Sequence, residues 1–161
     1  MDDAFERMGL PRRWSLQVGE LAARYKAVAR KVHPDRFASG PPHEREAAER
    51  MQALVNDAHA VLADDRRRAE HLLALLGGPS ANQDARTPCG FLVEVLEWNE
   101  ALADGTLEGR AVDAIADRGN QELATAGMAL DAPNPDLTLV REHLNAAAHL
   151  AKLVERAEAV A

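Results

Sequence analysis

The sequence predicts an all-α protein that consists of an N-terminal helical hairpin followed by a C-terminal three-helix bundle. Three observations support this fold class. The 161 residues are 47% hydrophobic but only 4% aromatic, a composition that favours helices packed through small side chains over a β-sandwich. Apolar residues recur at steps of three and four, which is the period of one helix face. Clusters of glycine and proline separate these periodic segments.

The N-terminal part begins with a short helix that ends near Gly9, and a longer second helix begins at Ser15 or Gln17. The second helix has one apolar face, formed by Leu21, Tyr25, Val28 and Val32. Pro34 ends this helix, because proline cannot continue a helix and disfavours helical geometry in the residue before it. The segment 37–42, Phe-Ala-Ser-Gly-Pro-Pro, is typical of a loop.

A third helix is expected over about 43–62, and a short fourth helix over about 65–76. The predicted apolar stripe of the third helix consists of Ala47, Met51, Leu54, Val55, Ala58, Val61 and Leu62. The fourth helix ends at the Gly-Gly-Pro sequence of residues 77–79. The two long helices should therefore form an antiparallel hairpin with a small core, flanked by the two short helices.

The C-terminal part follows a polar segment without periodicity at 79–88, which indicates a linker. Three more helices are expected, over about 90–104, 108–130 and 136–160. Asp-Gly and Pro-Asn-Pro sequences separate them. The predicted domain organisation is an N-terminal domain at 1–79, a linker at 80–89 and a three-helix bundle at 90–161.

The formal net charge of −7 is unevenly distributed. Residues 1–89 contain 14 lysines and arginines against 13 acidic residues, whereas residues 90–161 contain 5 against 13. This asymmetry suggests two partners with different surfaces. It argues against nucleic acid, which would require a broad basic face.

Three features favour a cytoplasmic location. The single cysteine, Cys89, excludes an internal disulfide and fits a reducing compartment. No apolar run reaches the roughly 18 residues that a membrane span requires. The acidic residues Asp2 and Asp3 at the start differ from a secretory signal or an arginine-rich transit peptide. We therefore expect a cytoplasmic protein without a membrane partner.

The most informative motif is His33-Pro34-Asp35, at the end of the second helix. The turn that Pro34 forces holds an imidazole and a carboxylate side by side. Positive residues occupy the non-core face of the helix and continue past the turn: Arg24, Lys26, Arg30, Lys31 and Arg36. Such a run is either an ordinary solvated face or a docking surface for an acidic protein partner. Likewise, Asp35 is a cap residue, a solvated turn residue or a carboxylate that competes for an arginine of the partner.

The helix expected at 90–104 has more apolar residues than its core face needs. A complete core-facing stripe is formed by Phe91, Val95, Trp98 and Leu102. The surplus apolar residues are Leu92, Val93 and Leu96. Their acidic neighbours are Glu97, Glu100 and Asp104. Apolar residues rimmed by charge are typical of a protein-binding patch, and the alternative is that they pack against the N-terminal domain or widen the core.

A helical hairpin with a basic second helix and His33-Pro34-Asp35 in its loop resembles a J-domain, the module that stimulates ATP hydrolysis by Hsp70-type chaperones. Further segments are similar to the HscB-type co-chaperones of iron–sulfur cluster assembly. These segments are Phe-Ala-Ser-Gly at 37–40, Arg-Ala-Glu-His-Leu-Leu at 68–73 and Phe-Leu-Val-Glu-Val-Leu-Glu at 91–97. The likeness is concentrated in residues 1–104.

The resemblance implies two partners and no cofactor. The J-domain would bind a dedicated Hsp70-class ATPase, while the bundle would hold the scaffold protein on which iron–sulfur clusters are built, so that the complex promotes cluster transfer to acceptor proteins. The chaperone contact would fall on His33, Pro34 and Asp35, with support from the basic helix. The scaffold contact would fall on Leu92, Val93, Leu96, Glu97, Glu100 and Asp104.

The chain departs from the family pattern at several positions. Arg36 replaces the usual lysine, which retains the charge with a different geometry. Val93 stands where a methionine is common, and the last helix has His149 in the region where an aromatic residue is often found. The zinc-binding cysteine pairs of some eukaryotic relatives are absent, which points to the bacterial form.

We expect no catalytic activity and no metal site in this chain. The six histidines include no pair three or four residues apart that would converge on a metal, and no glycine pattern would cradle a phosphate. One rival interpretation is a helical phosphotransfer module with His59 as the phosphoacceptor, although it leaves the His-Pro-Asp sequence unexplained. A nearer alternative is a J-domain co-chaperone for a different client.

Overall fold

The computed structural model describes residues 3–160, apart from the side chain of Val18. The predicted domain ends, Met1 and Ala161, and the acidic residue Asp2 lie outside the described residues. Every regular element within residues 3–160 is helical, which confirms the all-α prediction. The α-helices are α1 (Ala4–Met8), α2 (Val18–Val32), α3 (Pro42–Ala63), α4 (Asp65–Leu75), α5 (Phe91–Ala103), α6 (Gly109–Leu130) and α7 (Leu137–Glu158). One turn of 3₁₀ helix spans Pro34–Phe37.

The helix ends follow the signals in the sequence closely. Gly9 ends α1 in the left-handed conformation, with a φ of 63° that glycine adopts without steric cost. Gln17, rather than Ser15, precedes α2. The loop predicted at 37–42 is shorter than expected, because Phe37 belongs to the 3₁₀ turn and Pro42 is the first residue of α3, a position that needs no backbone N–H.

The chain divides into two compact units, one up to His71 and one from Leu72 onward, so the division falls within α4. Within residues 3–160, no helix combines the length and the apolar character that crossing a membrane would require.

The first unit is built on an antiparallel hairpin of α2 and α3. The hydroxyl of Tyr25, in the middle of α2, donates to Asn56 Oδ1 of α3 at 3.0 Å, and its ring lies against His59 with 4.3 Å between centroids. The 3₁₀ turn that follows α2 packs on α3, and α1 packs on α3 as well. The buried apolar residues of α1, α2 and α3 are Ala4, Phe5, Met8, Leu21, Ala48, Val55, Ala58 and Leu62.

The apolar stripe predicted for α3 is wrong in part. Met51 and Leu54 are 44% and 41% exposed, Ala47 is also exposed, and Ala48 is buried instead. The physical reason is that α3 offers apolar residues over a wider arc than its neighbours can cover. α1 and α2 pack on the side of α3 that carries the buried residues Ala48, Val55, Ala58 and Leu62.

A buried arginine joins three segments of the first unit. Arg68 Nε donates to the carbonyl oxygen of Trp14 at 2.8 Å, and Nη1 donates to that of Leu62 at 2.5 Å. Nη2 pairs with Asp65 Oδ1 at 2.5 Å, and the guanidinium lies 5.6 Å from the centroid of the Trp14 ring. Arg68 therefore ties the segment before α2 to the end of α3 and the start of α4. The arginine of the 68–73 segment thus has a structural role in this fold.

His71, in the same segment, holds α1. Its Nε2 accepts a hydrogen bond from the backbone N–H of Ala4 at 3.2 Å, and its ring stacks on Phe5 with 5.8 Å between centroids. The hydrogen bond requires Nε2 to be unprotonated, so the neutral imidazole is the form that fits this site.

The second unit contains α5, α6 and α7. The most extensive contact is between α6 and α7, and α5 packs on α7. One buried core cluster consists of Phe91, Ile115, Ala146, Leu150 and Leu153, with Val95, Trp98, Leu102, Leu107 and Val154 packed around it. The predicted core-facing stripe of α5 is therefore confirmed.

Gly119 marks a close approach of α6 to α7. A Cβ at this position would lie 3.3 Å from Leu150 Cβ, tighter than ordinary packing. A glycine that weakens a helix by roughly 1 kcal/mol relative to alanine is thus placed where the neighbouring helix leaves little room for a side chain.

The linker is attached to the second unit by a buried asparagine. Asn145 Nδ2 of α7 donates to the carbonyl oxygens of Asp84 and Arg86, at 2.9 and 2.7 Å. Nε and Nη2 of the Arg86 guanidinium and the Arg86 backbone N–H all donate to the Asp84 carboxylate. These side-chain and backbone hydrogen bonds lower the pKa of Asp84 from 3.8 to about 2. The linker thus has a defined local structure despite its polar sequence.

Replacement of Arg68 by methionine should destabilise the first unit by about 3 kcal/mol, because it leaves buried carbonyl groups without a donor. The matched control is Arg67→Met, one residue earlier on the exposed side of α4. Urea denaturation followed by circular dichroism measures both. Equal unfolding midpoints for the two variants would contradict the role given to Arg68.

Acid should weaken the Asp84–Arg86 contact, which organises the linker locally. Since the pKa of Asp84 is lower in the folded state than in the unfolded chain, the stabilisation is complete above about pH 4 and is lost as the pH falls toward about 2. Asp84→Asn should remove this part of the pH dependence of the urea midpoint, and Asp113→Asn, at an exposed carboxylate, should leave it in place. Parallel pH profiles for wild type and Asp84→Asn would show that the contact adds nothing to stability.

Candidate functional site

The His-Pro-Asp turn, residues 33–35, stands at the end of α2 with a fixed backbone. His33 ends α2 with φ −62° and ψ 129°, the extended geometry favoured before proline. Pro34 then starts the 3₁₀ turn, which is closed by a hydrogen bond from the Arg36 backbone N–H to the His33 carbonyl oxygen at 3.1 Å. The turn therefore reverses the chain immediately after the last residue of α2.

Both candidate side chains of the turn, His33 and Asp35, are accessible. His33 Nδ1 accepts a hydrogen bond from the Asp35 backbone N–H at 3.3 Å, which fixes the orientation of the imidazole. The side chains of His33 and Asp35 are 54% and 89% exposed. Within the described residues, the one side chain in ion-pairing range of the Asp35 carboxylate is the His33 imidazole, which is charged only when protonated, with 3.5 Å between Nδ1 and Oδ2. The carboxylate is therefore available to a partner.

The basic face consists of exposed side chains on α2 and just after the turn: Arg24, Lys26, Arg30, Lys31 and Arg36. Arg36 Nη1 donates to the Arg30 carbonyl oxygen at 3.4 Å, which keeps Arg36 beside the end of α2. Glu20 is the acidic residue of α2, and it pairs with Arg13 at 3.4 Å rather than with the basic face. No ion pair of the basic face is recorded among residues 3–160, so its charge is not neutralised there.

A second candidate surface lies on α5. The surplus apolar residues Leu92, Val93 and Leu96, hereafter the apolar patch, are 62%, 62% and 59% exposed, whereas neighbouring Phe91 is 2% exposed. The acidic residues predicted beside the patch are also exposed: Glu97, Glu100 and Asp104. Asp104 is the C-terminal cap residue of α5. The apolar patch and these carboxylates form one surface on the side of α5 that faces away from the core.

The polar contacts beside α5 were not predicted from the sequence. Glu122 of α6 is buried, and its carboxylate pairs with Arg118 on the same helix and with His143 Nδ1 of α7. Arg118 Nε also lies 3.8 Å from Glu94 Oε2 of α5. The i, i+4 spacing of Arg118 and Glu122 predicts their pairing, but nothing in the sequence indicates that Glu122 is buried.

Other chemistry is not organised in the described part of the chain. Residues 3–160 contain no group of three or more His, Cys, Asp or Glu side chains that could hold a metal ion. Cys89 is exposed and unpaired with another cysteine. His59, the phosphoacceptor of the rival interpretation, is partly buried against the Tyr25 ring, a position that does not favour phosphotransfer.

Comparison with known proteins is consistent with this geometry. A family model described as the DnaJ domain matches residues 3–71, so the first unit is a J-domain. The co-chaperone protein HscB homologue of Cupriavidus taiwanensis is 40% identical over 116 residues, and the match covers 71% of this chain and 65% of the relative. That of Chromobacterium violaceum is 30% identical over 131 residues, with 81% of this chain and 75% of the relative covered.

Solved structures agree over nearly the whole chain. Chaperone HscB from Vibrio cholerae has a TM-score of 0.78 at 27% identity, with 98% of this chain and 96% of that chain covered. The human co-chaperone protein HscB has a TM-score of 0.81 at 25% identity, with 98% and 81% covered. The chain therefore belongs to the HscB family of J-domain co-chaperones. The family resemblance predicted from the sequence is confirmed.

The two faces of α5 can be distinguished by truncation. Phe91→Ala should destabilise the second unit by about 3–5 kcal/mol, because it leaves a cavity in the core. Leu92→Ala, at the adjacent exposed position, should change the free energy of unfolding by no more than about 0.5 kcal/mol. Urea denaturation measures both. A large loss for Leu92→Ala would mean that the apolar patch belongs to the core.

Proposed function

We propose that this protein stimulates ATP hydrolysis by a dedicated Hsp70-class chaperone and delivers to it the scaffold protein on which iron–sulfur clusters are built. The delivery would promote cluster transfer and the maturation of iron–sulfur proteins. The observation that supports this most directly is the Asp35 carboxylate, 89% exposed beside an unneutralised basic face. The J-domain would span 1–79, the linker 80–89 and the scaffold-binding bundle 90–161.

The chaperone would bind the basic face and the His-Pro-Asp turn. Exposed ion pairs contribute only about 0–1 kcal/mol each, so five cations give a weak contact that forms and dissociates quickly. This suits a co-chaperone that must leave after each cycle of hydrolysis. In the complex, the Asp35 carboxylate would compete for an arginine of the ATPase and so favour its active arrangement, while Pro34 and the His33 hydrogen bond hold that carboxylate in place.

The scaffold would bind the apolar patch with its acidic rim. Burial of a leucine or valine contributes about 1.5–3 kcal/mol from full exposure, so three side chains that are about 60% exposed would contribute on the order of 1 kcal/mol each. After the cost of association, this leaves a reversible complex rather than a permanent one. The carboxylates of Glu97, Glu100 and Asp104 would select a scaffold surface that carries positive charge.

The chain itself would perform no catalysis and hold no cofactor. The ATP is bound by the chaperone, and the iron–sulfur cluster is cargo on the scaffold. We propose that this activity takes place in the cytoplasm of a bacterium, as the bacterial relatives and the lack of zinc-binding cysteine pairs suggest.

Asp35→Asn should abolish stimulation of the chaperone ATPase, because it removes the charge of the exposed carboxylate while it preserves the shape of the side chain. Steady-state ATP hydrolysis by the cognate chaperone, with increasing amounts of wild type or variant, measures this. Asp57→Asn, at an exposed carboxylate of α3, is the matched control and should stimulate like wild type. Circular dichroism should show unchanged folding of both. Undiminished stimulation by Asp35→Asn would refute the assignment of the turn.

The double variant Leu92→Ala/Leu96→Ala should lose most of its scaffold binding, at least about tenfold in affinity, since it removes the larger part of the apolar patch. Pull-down with the cognate scaffold protein, followed by calorimetry, measures this. Leu139→Ala, at another exposed leucine of the second unit, is the control. Equal capture of wild type and double variant would mean that the protein serves another client or binds the scaffold elsewhere.

A further inference from the structure

We propose that two polar contacts on opposite flanks of α5 fix the rotation of this helix and so keep the apolar patch turned toward its partner. The contacts, hereafter the flank contacts, are Glu94–Arg118 and Asn99–Arg156. In this proposal the four residues are positioning residues. Their role in partner binding rests on the proposed function of the apolar patch.

The flank contacts lie on both sides of the α5 core stripe. At about 100° per residue, Glu94 lies about 70° from the centre of the stripe in one direction and Asn99 about 70° in the other. Glu94 reaches Arg118 of α6, and Asn99 reaches Arg156 of α7. Rotation of α5 in either direction would therefore stretch one contact and compress the other.

The contact from α5 to α6 is made with Arg118, whose guanidinium is held in place by other residues. The guanidinium of Arg118 is held by the carboxylate of Glu122, which is buried and also bound to His143 of α7. A buried carboxylate without a partner is costly, so Glu122 requires a cation at this position. Arg118 is thus held in place whether or not Glu94 is present. The ion pair between Arg118 Nε and Glu94 Oε2, at 3.8 Å, therefore restrains α5 without being needed to position Arg118.

The contact to α7 is fixed on the α5 side. Asn99 Nδ2 donates to the carbonyl oxygen of Val95, one turn earlier, at 2.7 Å. This bond sets the orientation of the amide, so Oδ1 is the atom that accepts from Arg156 Nη1, also at 2.7 Å. The asparagine therefore acts as a rigid extension of the helix rather than as a mobile side chain.

The apolar packing of α5 opposes large rotations, which would expose Phe91, but leaves small rotations open. The helix packs mainly on α7, through one apolar stripe. Apolar contact is non-directional and does not by itself select one rotational setting among close alternatives. Glycines flank α5 at both ends: Gly90 precedes it and Gly105 follows its cap residue, with φ values of 80° and 67°. Because glycine has the most flexible backbone, these two positions oppose rotation of the helix least. A hydrogen bond on one flank, Asn99–Arg156, and an ion pair on the other, Glu94–Arg118, supply the missing constraint.

The test uses the full-length protein with Glu94→Gln, Arg156→Met and both changes together. These side chains are exposed, so the fold should persist, whereas Arg118 is left intact because Glu122 depends on it. Hydrogen exchange of the free protein should show α5 amides exchanging about threefold faster in each single variant and about tenfold faster in the double variant, with α6 and α7 unchanged. Affinity for the cognate scaffold, measured by calorimetry, should fall by similar factors.

A rescue variant separates positioning from direct contact with the scaffold. Arg156→Lys retains a donor for Asn99 Oδ1 and should keep near wild-type affinity, whereas Asn99→Leu should match Arg156→Met. Unchanged α5 exchange in the double variant would overturn the proposal, and so would faster exchange with unchanged scaffold affinity. Failure of Leu92→Ala/Leu96→Ala to weaken scaffold binding would instead refute the proposed function, while the exchange data would still decide whether the flank contacts hold α5.

Discussion

The arrangement of the first unit depends on the constraint that Pro34 imposes on the end of α2. Because proline has no backbone N–H and excludes helical geometry from the residue before it, α2 must end at Val32. His33 is consequently extended, and the 3₁₀ turn that follows brings Asp35 beside the basic face. In a helix that continued for another turn, Asp35 would lie one turn from Lys31 on the same face and could pair with it instead of facing a partner. The position of the Asp35 carboxylate relative to the basic face thus depends on the pyrrolidine ring of Pro34.

In the second unit, the corresponding constraint is that a 13-residue helix has apolar groups on two sides. The core can bury only the side formed by Phe91 and its helical neighbours, so the opposite side remains in water. Polar side chains at the two borders then determine which residues face outward. The orientation of α5 therefore determines both which of its residues are buried and which are exposed. Leu92 is exposed for the same reason that Phe91 is buried.

Most of the fold and both candidate surfaces could be predicted from the sequence, since they depend on local rules. The end of α2, the core stripe of α5 and the exposed patch follow from proline geometry and helical periodicity. The prediction was wrong for Met51 and Leu54 of α3, because periodicity shows which residues share a face but not how much of that face a neighbouring helix covers. Whether the surfaces bind the chaperone and the scaffold stays a prediction.

The sequence by itself determined the all-α fold class, the helix boundaries to within a few residues and the family, because these are properties of short segments. Only the tertiary structure decided which polar residues are buried and what they join. Arg68 and Asn145 each connect segments far apart in the chain, and Glu122 meets a histidine on another helix. The physical reason is that the neighbouring sequence of a charged or amide side chain looks the same whether the side chain is exposed to water or buried in a core. Its role is set by the groups that folding places around it.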